Sequence, residues 1–243
     1  MPPFASIVGL MVLLAGSLLS AANLYAQPEE QKEAPLVVTA DFNRDGIPDI
    51  ASIAVNGRLT VRLGRSDGTL LEAASMPVSG SKPRALIAND FSGDGIPDLL
   101  IGDEDGTVML FLIDGTGRLA QGREIAHLQS VTSIAVADFN KDGIADIAVS
   151  DWRASTVTVY FGSGNGSFDR TWSFPLRMRG TAPQIATADF NGDGIPDLAV
   201  VYGDDGNPTF DVMLGNGNGT FTIAPDRGLS RNPNSHCNTL TGN

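Results

Sequence analysis

With 42% apolar residues in 243, the chain can bury a substantial core, and its 28 glycines, 14 prolines and 7% aromatics favour short strands joined by tight turns over a helical bundle. A formal net charge of −12 makes nucleic acid and anionic membrane poor partners, because phosphate is held by clustered Lys and Arg. The single cysteine, Cys237, excludes an internal disulfide framework and a thiolate metal site.

From the N-terminus, residues 1–26 read as an export signal: Ile7 to Leu19 is apolar or small, too short for a confident span, with cleavage-type small residues at Ser20-Ala21-Ala22. No Lys or Arg precedes the run, so a retained anchor is the alternative. The charged stretch 27–35 reads as a linker into the folded part.

A repeat then organises the chain. Four nine-residue segments align without gaps: DFNRDGIPD from Asp41, DFSGDGIPD from Asp90, DFNKDGIAD from Asp138 and DFNGDGIPD from Asp189, their starts 49, 48 and 51 residues apart. A short apolar run precedes each (Leu36-Val37-Val38 in the first copy) and another follows (Ile50 to Val55). A third run alternates, as in Leu59-Thr60-Val61-Arg62-Leu63 and Val157-Thr158-Val159-Tyr160-Phe161. A glycine-rich turn such as GSGNG from Gly162 leads to a fourth. Runs of this length with Gly, Asn and Asp at their ends predict four strands per repeat, and no segment carries a helical period. The expected fold is all-β, a β-propeller-type array of four four-stranded blades at about 36–84, 85–132, 133–183 and 184–224. The polar stretch 225–243 reads as a disordered tail.

The nine-residue segments have the spacing of cation loops. Oxygen-bearing side chains occupy positions 1, 3, 5 and 9: Asp41, Asn43, Asp45 and Asp49; Asp90, Ser92, Asp94 and Asp98; Asp138, Asn140, Asp142 and Asp146; Asp189, Asn191, Asp193 and Asp197. Position 6 is always glycine, and position 7 is always isoleucine (Ile47, Ile96, Ile144, Ile195), whose carbonyl can add a ligand. An all-oxygen set predicts Ca²⁺, up to four ions, where zinc would call for His or Cys. Of the 28 acids, 12 lie in these loops, and four bound Ca²⁺ would bring the formal charge from −12 to −4. Position 12, which closes an EF-hand with Glu, is here Ser52, Ile101, Val149 and Val200, so position 9 is the expected closing carboxylate. Ser92, the one departure at position 3, predicts the weakest site.

The loops, together with Val212 to Phe221 (VMLGNGNGTF), resemble the FG-GAP/VCBS repeats related to the propeller of integrin α-subunits. The resemblance implies Ca²⁺ bound between two strands of each blade, and binding or adhesion more often than catalysis, although some lectins and lyases use such propellers. Family propellers commonly have seven or eight repeats against four here. That leaves a small four-bladed ring, half of a larger ring completed by a second copy as a homodimer, or a truncated gene product.

Other motifs carry less. Gly64-Arg65-Ser66-Asp67-Gly68 matches a nucleophile pattern but falls at a repeat turn with no helix after it. Asn165-Gly166-Ser167 and Asn218-Gly219-Thr220 match glycosylation acceptors that the repeat already explains. His127 and His236 lack a catalytic partner, and Asp103, Glu104 and Asp105 read as solvated turn acids. Trp152-Arg153, in a loop between strands, is the best candidate for a ligand contact. The expected protein is an exported, non-enzymatic calcium-binding module for an extracellular protein or glycan. A lectin or carbohydrate-active enzyme is the alternative.

Overall fold

The computed structural model describes residues 35–54, 56–78, 82–176, 181–204 and 207–224. The predicted export signal, the linker up to Ala34, the tail with His236 and Cys237, and Val55 lie outside them.

Among the described residues, sixteen strands form four antiparallel four-stranded sheets, each in simple chain order. The first sheet holds β1 (Leu36–Ala40), β2 (Asp49–Ile53), β3 (Arg58–Gly64) and β4 (Leu70–Pro77). The second holds β5 (Pro83–Asn89), β6 (Asp98–Asp103), β7 (Thr107–Phe111) and β8 (Arg123–His127). The third holds β9 (Val131–Ala137), β10 (Asp146–Asp151), β11 (Thr156–Gly162) and β12 (Phe168–Pro175). The fourth holds β13 (Thr181–Ala188), β14 (Asp197–Asp204), β15 (Asn207–Gly215) and β16 (Phe221–Ile223). Every repeat thus makes one blade, as its four hydrophobic runs predict.

The blades stack through their first strands, with β1 against β5, β5 against β9 and β9 against β13. Three hydrophobic clusters fill the three junctions. Phe42, Ala51, Leu59 and Val61 meet Leu99, Ile101 and Phe111; Phe91, Leu100, Val108 and Leu110 meet Val131, Ile147 and Val149; Phe139, Ala148, Val157 and Val159 meet Leu198, Val200 and Met213. No cluster among the described residues joins blade 4 to blade 1.

Side-chain burial follows from this order. In β6 (DLLIGD) and β10 (DIAVSD) every residue is buried, because both sheet faces have a neighbour. In β2 (DIASI) burial alternates, because only one face is covered. Along β14, likewise, Leu198, Val200 and Tyr202 are buried towards blade 3 while Ala199 and Val201 are half-buried.

Candidate cation loops

Each nine-residue segment links the first strand of a blade to the second, and its position 9 is the first residue of that second strand. The glycine at position 6 is left-handed in all four copies, with φ between 78° and 85° at Gly194, Gly46, Gly95 and Gly143. A side chain there would meet its own carbonyl, so this conformation favours glycine. It turns the loop amides inward onto the carboxylate at position 1.

Asp41 accepts the Asp45 amide on Oδ1 at 3.2 Å and the Gly46 amide on Oδ2 at 2.8 Å. Asp138 does the same with Asp142 at 3.0 Å and Gly143 at 2.8 Å. Asp90 takes Gly93 and Gly95, both at 2.7 Å, and Asp189 takes Gly192, Asp193 and Gly194 at 2.7, 3.1 and 2.8 Å. The amide bonds, led by that of Gly194, hold the Asp189 carboxyl below the usual range. Position 5 accepts the isoleucine amide at 2.8 Å in every copy, at Asp45, Asp94, Asp142 and Asp193. In three copies the asparagine bridges inward: Asn43, Asn140 and Asn191 donate to the position-5 carboxylate at 2.8–2.9 Å. In the second copy Ser92 reaches Asp90 instead, at 3.4 Å.

Position 9 behaves differently. Asp49, Asp98, Asp146 and Asp197 are fully buried, with both carboxylate oxygens on backbone amides. One oxygen accepts the loop's second residue: Phe42 at 2.7 Å, Phe91 at 3.1 Å, Phe139 at 2.9 Å and Phe190 at 2.8 Å. The other crosses to the end of the third strand or just beyond it. It accepts Gly64, Ile113, Gly162 and Gly215 at 2.7, 3.0, 2.9 and 2.7 Å. Burial pushes the Asp98 carboxyl up, and pushes Asp146 up to about 6, with smaller contributions from the Asp142 and Asp138 charges.

The structure therefore gathers positions 1, 3 and 5 at the loop surface and draws position 9 into the blade. Among the described residues, no three His, Cys, Asp or Glu side chains form a group able to hold a metal ion. The acids left at each loop surface are positions 1 and 5, and the remaining donors are neutral: the position-3 side chain and backbone carbonyls. That donor set is all oxygen and fits a hard cation. In each copy the position-1 oxygen that takes the position-6 glycine amide keeps acceptor capacity, whereas Oδ1 of Asp189 already accepts two amides.

Three of the four amide donors opposite position 9 are the first residue of the recurrent glycine-rich turn. Gly64, Gly162 and Gly215 stand in what reads as a turn, yet their missing Cβ is required. An added one would lie 2.4 Å from the Pro48 oxygen, 2.3 Å from that of Ala145 and 2.3 Å from that of Pro196. The second blade carries Ile113 at this position, where the chain leaves β7 after Phe111 and pairs once more with Leu119. The loops also touch one another: the Arg44 guanidinium donates to the carbonyls of Asp94 and Gly95 in the next loop.

Asp103 is no solvated turn acid; it is buried and accepts the Lys82 amide at 3.0 Å and the Asp105 amide at 3.2 Å. Asp151 holds Gln129, Ser130 and Ala154 in the same manner at 2.8, 3.1 and 3.0 Å. Glu104 pairs with Arg84 and, at 3.8 Å, with Lys82. His127, exposed at the end of β8, lies 3.8 Å from Glu124. Asn165 and Asn218 close their own turns, each accepting an amide two residues on at 2.9 Å. Trp152 is 44% exposed in the turn between β10 and β11, with Arg153 beside it. This turn lies outside the nine-residue loops.

The model of the FG-GAP-like repeat matches residues 41–101, 90–149 and 146–200, which together span more than half of the chain. Among solved structures, an Agrocybe aegerita lectin studied for recognition of non-reducing terminal N-acetylglucosamine matches at 23% identity and a TM-score of 0.54. The match covers 78% of this chain and 51% of the lectin chain. BBS1N, solved in complex with ARL6DN in mercury- and lead-soaked crystals, matches at 15% identity and a TM-score of 0.49, over 77% of this chain and 52% of that one. This chain thus spans about half the length of the chains it matches.

Proposed function

This chain belongs to the FG-GAP-like repeat family, and from that premise we propose that it is an exported, non-catalytic binding module whose loops take up Ca²⁺. The observation that carries the reading is the fourfold recurrence of one device. A position-1 carboxylate is cradled by loop amides, with oxygen donors at positions 3 and 5 beside it. The residues that would hold the ion are Asp41, Asn43, Asp45 and the Ile47 carbonyl, with Asp49 anchoring the loop floor, and their counterparts in the other three blades. The ion supplies positive charge where the position-1 and position-5 carboxylates of each loop crowd together. Its uptake couples to folding, so the loops present an ordered surface only when loaded.

The test is a calorimetric Ca²⁺ titration of chelator-stripped protein, repeated with Asp45→Ala, Asp94→Ala, Asp142→Ala and Asp193→Ala. Uptake approaching four ions, with one lost per substitution, supports the assignment. A folded protein that takes up none reduces the loops to acidic turns.

A second reading is glycan binding. It is favoured by the exposure of Trp152, because an aromatic face can stack on a sugar ring. The partner would then be an extracellular glycan rather than a protein. Binding on a glycan array that survives Trp152→Ala would remove Trp152-Arg153 as the contact.

A further inference from the structure

One of the four loops is held together differently from the rest. In blades 1, 3 and 4 the position-3 asparagine braces position 5 twice. Its amide group donates to the carboxylate of Asp45, Asp142 or Asp193. Its carbonyl oxygen accepts the backbone amide of the same residue, at 3.1, 3.0 and 2.9 Å. That backbone amide also bonds the position-1 carboxylate. The blade 2 loop has none of these bonds. Ser92 has no amide group to offer, and its hydroxyl turns to Asp90. Among the described residues, the Asp94 amide has no acceptor.

The same loop is the one gripped from outside. The Arg44 guanidinium of blade 1 donates to the carbonyl oxygens of Asp94 and, at 3.2 Å, of Gly95. These oxygens belong to the two peptide units whose amide ends, Gly95 and Ile96, bond Asp90 at 2.7 Å and Asp94 at 2.8 Å. A peptide unit is planar, so fixing its oxygen also aims its N–H. The fit is close: a Cβ on Gly95 would strike the guanidinium, whereas one on Gly46, Gly143 or Gly194 meets nothing within 4 Å. Arg44 holds this place from a left-handed backbone, φ 58°, where the loops of blades 2 and 4 use Gly93 and Gly192. Its backbone conformation favours glycine, so what the arginine contributes lies in its side chain. Lys141, at this position in blade 3, is also left-handed, but its stem lies beside Gly217 and leaves Gly194 open.

We propose that Arg44 is a positioning residue for the blade 2 loop, doing from the neighbouring blade what asparagine does within the other three. The planar fork of a guanidinium engages both carbonyls at once, which the point charge of a lysine does not. Its effect on ion affinity rests on the calcium reading, whereas its effect on loop order is independent of the ion.

The experiment compares the full chain as wild type, Arg44→Gly, Ser92→Asn and the double variant. Amide hydrogen exchange followed by NMR, in the presence of a chelator, reads loop order at Gly95 and Ile96. Glycine suits the left-handed backbone, so Arg44→Gly removes the side chain without straining the loop. Exchange about tenfold faster is expected in Arg44→Gly, the scale of one net hydrogen bond. In the Ser92→Asn background the same substitution should change exchange by less than about twofold, because asparagine restores the internal brace. Lys141→Gly should leave exchange at Gly143 and Ile144 unchanged. Calorimetry then reads Ca²⁺ affinity at the site that Asp94→Ala removes, which should fall by about tenfold in Arg44→Gly. Unchanged exchange at Gly95 and Ile96, or an equal rise in both backgrounds, overturns the proposal. So does tighter Ca²⁺ binding in Arg44→Gly, which would make Arg44 a repelling charge. A protein that binds no Ca²⁺ yet shows the background-dependent exchange keeps the Arg44 clamp and loses the calcium reading alone.

Discussion

The amide of Gly64 donates to Oδ1 of Asp49 at 2.7 Å, tying the end of β3 to the first residue of β2. The other oxygen of Asp49 takes the Phe42 amide, so one buried carboxylate fastens loop, second strand and third strand together. The arrangement recurs in every blade, and it divides the loop acids into two mechanical classes.

Position 9 is therefore expected to matter without any ion. Asp49→Ala leaves two buried amides unpaired and should cost about 3–5 kcal/mol, whereas exposed Asp45→Ala in ion-free protein should cost under about 1 kcal/mol. Urea denaturation in the presence of a chelator checks the contrast.

Close approach of the third strand to the loop sets a second expectation. Gly162→Ala places a Cβ 2.3 Å from the Ala145 oxygen, and backbone must move to admit it. A loss of about 1–3 kcal/mol is expected, read from the same denaturation curve.

Identical phenylalanines should differ in worth. Phe139 is fully buried between blades 3 and 4 and packs edge-on against Phe221 at 5.5 Å between centroids. Phe139→Ala should cost about 3–5 kcal/mol. Phe190→Ala should cost under about 1 kcal/mol, since its side chain is half in solvent.

Ser92 gives the second loop a shorter side chain than the asparagine of its three relatives, and it reaches Asp90 only at 3.4 Å. On the calcium reading, Ser92→Asn should raise the affinity of the weakest site by about tenfold. Competition against a calorimetrically calibrated chelator measures it, with Asp94→Ala identifying the site.

On the same proposal, removing Ca²⁺ should lower stability by mass action. With free Ca²⁺ at 100 times the dissociation constant, each occupied loop adds about 2.7 kcal/mol, so chelation should depress the thermal midpoint sharply. Parallel melts with Ca²⁺ and with excess chelator provide the readout. Equal midpoints would contradict the coupling of the loops to folding.

Strands, blade count and loop position were all legible in the sequence, because each depends on local pattern. Apolar runs of strand length recur at fixed distance from the nine-residue segment, and a glycine at position 6 announces a left-handed turn wherever it stands. The division of labour among the acids was not legible. Asp41, Asp45 and Asp49 are the same letter. Only the approach of β3 tells the buried brace from the exposed pair. Asp103 is likewise a turn acid by its neighbours in sequence, but the amide of Lys82, 21 residues away in the chain, claims it.

The sequence alone determined the family, the four-blade repeat and the oxygen-rich loops, since these are written in spacing and residue type. Only the tertiary structure decided which aspartates are structural, why three third strands end in glycine, and which of the loop phenylalanines is exposed. Those properties belong to distances between segments far apart in the chain, and four copies of the same phenylalanine cannot report which of them is exposed.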